Sequence, residues 1–126
     1  MILLDTSVLI EMFRVKDKSS TYFYQLSKEY NDFSISIITH YEIFRGSNRL
    51  QDVFWTSFLK NIEIIPFDIT SSDEATKIYK QLKAQNKIVD FADLLIAATA
   101  LAHKLSLATL NLKHFRQIPD LYILNN

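Results

Sequence analysis

A mainly parallel α/β fold, with helices covering both faces of one sheet, is what this sequence predicts, and three observations carry it. The chain opens on an apolar run, Ile2-Leu3-Leu4, that stops at Asp5 and passes into helix-like apolar density. Phe33 to Ile38 repeats the pattern, an apolar and β-branched run that passes into a helix. Leu94 to Leu105 is apolar nearly all round, as expected of a helix buried in the middle of a small domain. Strands alternating with helices imply right-handed crossovers, which make the strands parallel and cover both faces of the sheet.

Residues 1 to 5 read as the first strand, and Val8, Leu9, Ile10, Met12 and Phe13 as the apolar part of the helix after it. Tyr22, Phe23, Leu26 and Tyr30 recur at helical spacing, which predicts a helix from about Ser19 to Tyr30. After the run Phe33 to Ile38, Thr39-His40-Tyr41-Glu42 has the T-x-x-E pattern of a capping box, so a helix is expected to start there. Val53, Phe54, Phe58 and Leu59 suggest another helix before a short strand, Glu63 to Phe67, where Pro66 favours a strand end or edge. Ser71-Ser72-Asp73-Glu74 is expected to open the next helix, with Ala75, Ile78, Tyr79 and Leu82 on one face. Leu105 to Leu110 and Leu121 to Leu124 are the last strand candidates.

With 126 residues, 48% of them hydrophobic, the chain predicts one domain over 1–126 with a single filled core. Fourteen Lys plus Arg balance fourteen Asp plus Glu, so any nucleic-acid surface must be local. The absence of cysteine removes disulfides, thiolate zinc sites and thiol nucleophiles, and suits a reducing cytosol. No signal peptide or membrane span is indicated, so a cytoplasmic protein without a membrane partner is expected. A single glycine, Gly46, excludes a P-loop and a Rossmann fingerprint. Phosphate chemistry in this chain must rest on side chains and metal.

Three acidic stations stand out: Asp5, Glu42 and the pair Asp90/Asp93. Strands deliver residues at their carboxyl ends to the rim where open α/β sheets place ligands. If the stations meet there, their mutual repulsion calls for a cation. Each also has a purely local reading. Asp5 is a favoured type of helix cap, Glu42 can be the return half of the capping box, and Asp90 can cap a helix with Asp93 in its first turn.

Four pieces in order weigh against coincidence: Leu3-Leu4-Asp5-Thr6; Thr39-His40-Tyr41-Glu42; Asp93-Leu94-Leu95-Ile96-Ala97-Ala98; and Thr109-Leu110-Asn111 with His114-Phe115. The chain resembles the PIN-domain ribonucleases of the VapC toxin type, from residue 2 to about residue 124. The resemblance implies a PIN-like three-layer α/β/α sandwich and a divalent-metal-dependent endoribonuclease. Asp5, Glu42 and Asp93 would be its catalytic, metal-binding acids, holding Mg²⁺ or Mn²⁺ as hard cations prefer. The implied reaction is cleavage of RNA phosphodiester bonds by a water that the metal activates. Asp90 and Asn111 are further ligand candidates; Asn111 stands where the family often has a fourth acid, which weakens a second metal position. A cognate VapB-like antitoxin and homodimerisation are also implied.

Around these acids, Thr6, Ser7 and Thr109 are the polar groups expected to meet substrate or to hydrogen-bond the carboxylates, since neither Thr6 nor Ser7 has a base to activate it. Arg14, Lys16, Arg45, Arg49, Lys113 and Arg116 are candidate phosphate contacts, with Arg45, one turn after Glu42, the first choice. His40, His103 and His114 lack zinc-site spacing. Tyr22, Phe23, Tyr24, Tyr30, Phe54, Trp55 and Phe58 exceed what two amphipathic helices need for one core, which predicts an interface for a second copy and an antitoxin helix near residues 19 to 60. A phosphotransfer or receiver domain is the poorer alternative, because Asp5-Thr6-Ser7 lacks a second early Asp. A catalytically weak or inactive PIN-like module acting through protein interaction is the stronger rival.

Overall fold

The first strand, β1 (Ile2–Leu4), is apolar and buried at every position, and its pleat sets the layering of the molecule. Side chains alternate across a strand. Leu3 therefore joins one core, with Ile65, Ile78, Leu82, Ile96, Leu107 and Phe115, while Ile2 and Leu4 join another, with Val8, Leu9, Met12, Ile35 and Trp55. A strand this apolar has no face left for solvent. The structure, a computed structural model, describes residues 1–124.

β1 pairs in parallel with β2 (Phe33–Ser36) on one side and β4 (Ser106–Ala108) on the other, and β2 pairs in parallel with β3 (Glu63–Ile65). The sheet order is β3-β2-β1-β4. Helices α1 (Thr6–Arg14), α2 (Tyr22–Glu29), α3 (Ile37–Arg45) and α4 (Arg49–Phe58) send Val8, Leu26, Ile43 and Trp55 into one core. Helices α5 (Ile69–Ala84), α6 (Phe91–Ala102) and α7 (Leu112–Phe115) send Ile78, Ile96 and Phe115 into the other. The result is the expected three-layer α/β/α sandwich. At about 1.5–3 kcal/mol for each large apolar side chain removed from water, these two cores are the main favourable term in the fold.

Topology fixes where a site can form. The chain moves outward from β1 to β2 and β3, then returns to β4 on the opposite side of β1. The strand order therefore reverses between β1 and β4, and a crevice opens beyond their carboxyl ends. Leu4 lies opposite Ala108, and the Asp5 backbone N–H donates to the Ala108 carbonyl at 2.9 Å. That register sets Asp5 beside Thr109.

Several local expectations change in the folded chain. The helix expected at Thr39 begins at Ile37, because Ser36 is its cap and accepts from the Thr39 N–H at 3.0 Å. Glu42 is consequently inside the helix, and the Thr39–Glu42 capping box does not form. The box that does form joins Asn48 and Gln51 at the start of α4. Helix α5 starts earlier than Ser71, at Ile69, with Asp68 as cap and no acid in its first turn. The backbone and hydroxyl of Ser71 both donate to Asp68, which holds that carboxyl below the usual value. The helix expected from Ser19 divides into a 3₁₀ turn, Lys18–Ser20, and α2, capped by Thr21. Leu121 to Leu124 contributes only a parallel bridge from Ile123 to Leu107.

The aromatic surplus is largely met within the chain. Phe13 stacks on Trp55 with ring centroids 5.3 Å apart, Phe54 meets both edge-on, and Phe23 packs against Phe33 and Phe58. Trp55 is buried; Tyr24, Tyr30, Leu50 and Val53 remain exposed on this side. Among the described residues, no helix is long and apolar enough to cross a membrane.

Candidate active site

A cleft of about 450 Å³ opens at the strand-order reversal, lined by Asp5, Glu42 and Asp93 together with Thr6, Ser7 and Asn111. All three predicted stations therefore meet, the third through Asp93 and not Asp90, although Asp93 lies 88 positions after Asp5. Asp5 directly follows β1, α3 presents Glu42 from its sixth residue, and α6 presents Asp93 from its first turn.

Asp5 is 2% exposed. It occupies the cap position of α1 but its side chain makes no capping hydrogen bond. Instead Ser7 Oγ donates to its Oδ2 at 2.6 Å and Thr109 Oγ1 donates to the same oxygen at 2.8 Å. Those hydroxyls are themselves fixed, because the Leu110 N–H donates to Ser7 Oγ at 3.1 Å and the Asn111 N–H to Thr109 Oγ1 at 2.9 Å. A buried carboxylate without hydrogen bonds would cost several kcal/mol. Here the first turn of α1 and the residue after β4 supply hydroxyl donors, and the local capping reading of Asp5 fails.

Glu42 is held differently. Thr6 Oγ1 donates to its Oε1 at 2.7 Å and sits 3.0 Å from Thr39 Oγ1. Asp93 Oδ2 lies 2.9 Å from Nδ1 of His114, an exposed residue of α7. Burial pushes the Asp93 carboxyl above the usual carboxylate value. The His114 hydrogen bond opposes that shift, whereas the charges of Asp5 and Asp90 reinforce it. Asp5 and Asp93 thus feel each other across the cleft.

Asp90 keeps its local role: it caps α6 and accepts from the Asp93 N–H at 3.4 Å, and it lies outside the cleft. Arg45 also lies outside, with its guanidinium 5.3 Å from the Tyr41 ring centroid. Arg14 is the candidate cation that does line the cleft. His40 packs on Phe44, and His103 sits 3.3 Å from Asp68.

Two residues gain parts that sequence reasoning missed. Glu11 lines the cleft while accepting from the Tyr22 N–H at 2.7 Å. Its signal was available, because Ser7, Glu11 and Arg14 follow one another at i, i+4 and i+7 on one face of α1. His114 reaches Asp93 only through the fold, and no spacing in the sequence announces that pair.

The donor set suits a hard divalent cation in kind: carboxylate oxygens, hydroxyls, one amide and no sulfur. Among the described residues, no three His, Asp or Glu side chains are gathered tightly enough to form a ready cage. Each acid is instead tethered to its own hydroxyl or imidazole partner.

A PIN domain family model matches residues 2–121. Ribonuclease VapC1 of Methanocaldococcus jannaschii is 37% identical over 120 residues, which cover 94% of this chain and 82% of that protein. A chain in the structure of VapBC2 from Rickettsia felis, bound to a DNA fragment from their promoter, superposes with a TM-score of 0.88 at 28% identity, covering 100% of this chain and 99% of that one. A toxin-antitoxin complex from Klebsiella pneumoniae matches with a TM-score of 0.77 at 26% identity, over 98% and 100% of the two chains. The chain belongs to the PIN domain family, among its VapC-type members.

Proposed function

We propose that this chain is a divalent-metal-dependent endoribonuclease and the toxin of a VapBC-type toxin–antitoxin pair. The observation that carries the reading is the meeting of Asp5, Glu42 and Asp93 in one cleft at the strand-order reversal, with Asp5 buried there and making no capping bond. Acids that share one cleft at a sheet rim, one of them buried, favour a cation over the empty state. Ribonuclease naming of the relatives supports RNA as substrate, and toxin–antitoxin complexes among the similar structures support a VapB-like partner.

Asp5, Glu42 and Asp93 would hold Mg²⁺ or Mn²⁺, which would supply Lewis acidity toward water and the scissile phosphate. The chain's own groups do the rest. Ser7 and Thr109 fix the Asp5 carboxylate, Thr6 aims Glu42, and His114 restrains Asp93. Arg14, exposed on the same wall, supplies a cation for a flanking phosphate. An antitoxin would inhibit by placing a basic side chain against the acids, and Tyr24, Leu50 and Val53 on α2 and α4 offer apolar surface for it or for a second copy of the chain.

Incubating the purified protein with labelled RNA tests the reading. Cleavage should require Mg²⁺ or Mn²⁺, stop with chelator and disappear in Asp5→Asn. Cleavage that survives chelation overturns the metal requirement, and inert wild-type protein favours a PIN-like module that acts through protein contact alone.

A further inference from the structure

A second groove, of about 400 Å³, lies where α5 ends and the chain turns toward α6. Tyr79, Lys83, Lys87 and Ile88 line it; Tyr79 is 53% exposed and Ile88 90% exposed. Lys83 Nζ sits 5.8 Å from the centre of the Tyr79 ring. This groove does not stand alone. A smaller hollow of about 220 Å³ shares Ile88 and Val89 with it and is completed by Lys113 and His114. His114 is the residue bonded to Asp93 in the acidic cleft. The two hollows share a wall, and the His114–Asp93 pair joins the smaller one to the acidic cleft, so a path can be followed from the acids, past His114 and Lys113, to Lys87, Lys83 and Tyr79. The α6 cap, Asp90, borders the middle hollow with its carboxylate turned to the N-terminus of its own helix.

Resting on the nuclease reading above, we infer that this track carries the single-stranded RNA flanking the cut site. Charge and chemistry both specify that occupant. A chain with formal net charge zero presents three exposed lysines along one path that begins at its acidic cleft. Lysines match phosphates at intervals along a strand, and an exposed tyrosine face accepts any unpaired base by stacking. A duplex has no free base face to place on Tyr79, so the geometry selects unpaired RNA. The acids cut, and the track holds the strand against their repulsion.

Fluorescence anisotropy in chelator, with labelled unstructured RNAs of roughly 5 and 20 nucleotides chosen to span one to several bases beyond the cleft, reads the inference without turnover. For the longer RNA, Lys83→Glu combined with Lys87→Glu should weaken binding about tenfold and lower the logarithmic salt slope by about 1.4, since each phosphate contact on a single strand contributes about 0.7. Tyr79→Ala should weaken it about fivefold with the slope unchanged. The shorter RNA should bind all of these alike. Lys28→Glu combined with Lys60→Glu, on the α1–α4 side, should match wild type, and unchanged melting temperatures exclude misfolding. Wild-type affinity and slope in the Lys83/Lys87 variant, or an equal loss in the Lys28/Lys60 control, overturns the track and leaves the groove to a protein occupant. Failure of wild type to cut any RNA with Mg²⁺ or Mn²⁺ strikes the nuclease reading instead, and the anisotropy still decides the track.

Discussion

Asp5 and Asp90 occupy the same position in the chain's grammar, each the residue immediately before a helix, and the fold uses them in opposite ways. Asp90 turns back on α6 and accepts from the Asp93 N–H. The Asp5 carboxylate makes no bond to the backbone of α1 and takes hydroxyl hydrogen bonds from Ser7 and Thr109. The difference is position in the sheet. Asp5 leaves the buried central seam between β1 and β4, where the hydroxyls of Thr109, just after β4, and Ser7 reach it, whereas Asp90 follows an exposed loop and, among the described residues, accepts only from its own helix. A strand end at the reversal point frees a carboxylate for a ligand; a loop before a helix commits it to capping.

Matched substitutions should break this symmetry. The largest effect belongs to Asp5→Asn, which should lower RNA cleavage by at least about a hundredfold, the scale of removing one electrostatic element from an active site. Asp90→Asn should cut within a few-fold of wild type, because asparagine caps as well as aspartate does. Cleavage assays on the two variants side by side check the pair. Thr109→Val comes next. It removes one donor from a buried carboxylate at nearly constant shape, so a loss of about 1–3 kcal/mol in urea unfolding is expected, with divalent affinity about tenfold weaker.

Asp90→Ala should be smaller again. It removes the cap of α6, and with a bond as long as 3.4 Å the cost should fall near 0.5 kcal/mol, the low end for caps, seen as a small drop in melting temperature with cleavage retained. The subtlest effect concerns pH. The folded Asp93 carboxyl titrates above its unfolded value, so its protonated form favours the fold. In chelator, that stabilisation is fully present below the unfolded carboxylate pKa and is lost as pH rises through the raised folded value. Asp93→Asn should remove this decline from the melting-temperature profile, and identical profiles for the two proteins would show that Asp93 does not carry it.

Much of the architecture was legible because burial on both faces leaves a plain mark: Ile2-Leu3-Leu4 has no polar residue, and Leu94 to Ala102 has only Thr99, itself buried. The acids were legible as stations because each ends or opens an element. The sequence misled where two caps competed. Thr39-x-x-Glu42 is a valid box, yet Ser36 stops β2 sooner and takes the Thr39 N–H for itself. Ser71 to Glu74 likewise yielded to Asp68. The contacts that finish the site were not legible at all, since Ser7 with Thr109 and Asp93 with His114 are joined only by the β1–β4 register and the packing of α7 on α6. Arg45 looked well placed by its distance from Glu42 along the helix, but it stacks on Tyr41, and Arg14 holds the cleft position.

If Asp5 serves a cation while Asp90 serves its helix, metal binding must tell the two residues apart. Titrating Mn²⁺ into wild type, Asp5→Asn and Asp90→Asn and following the free ion by electron paramagnetic resonance tests it most directly. Binding should weaken in Asp5→Asn by more than the roughly tenfold that losing an outer hydrogen-bond partner costs, with Asp90→Asn indistinguishable from wild type. Equal weakening in the two variants, or wild-type binding in Asp5→Asn, would contradict it.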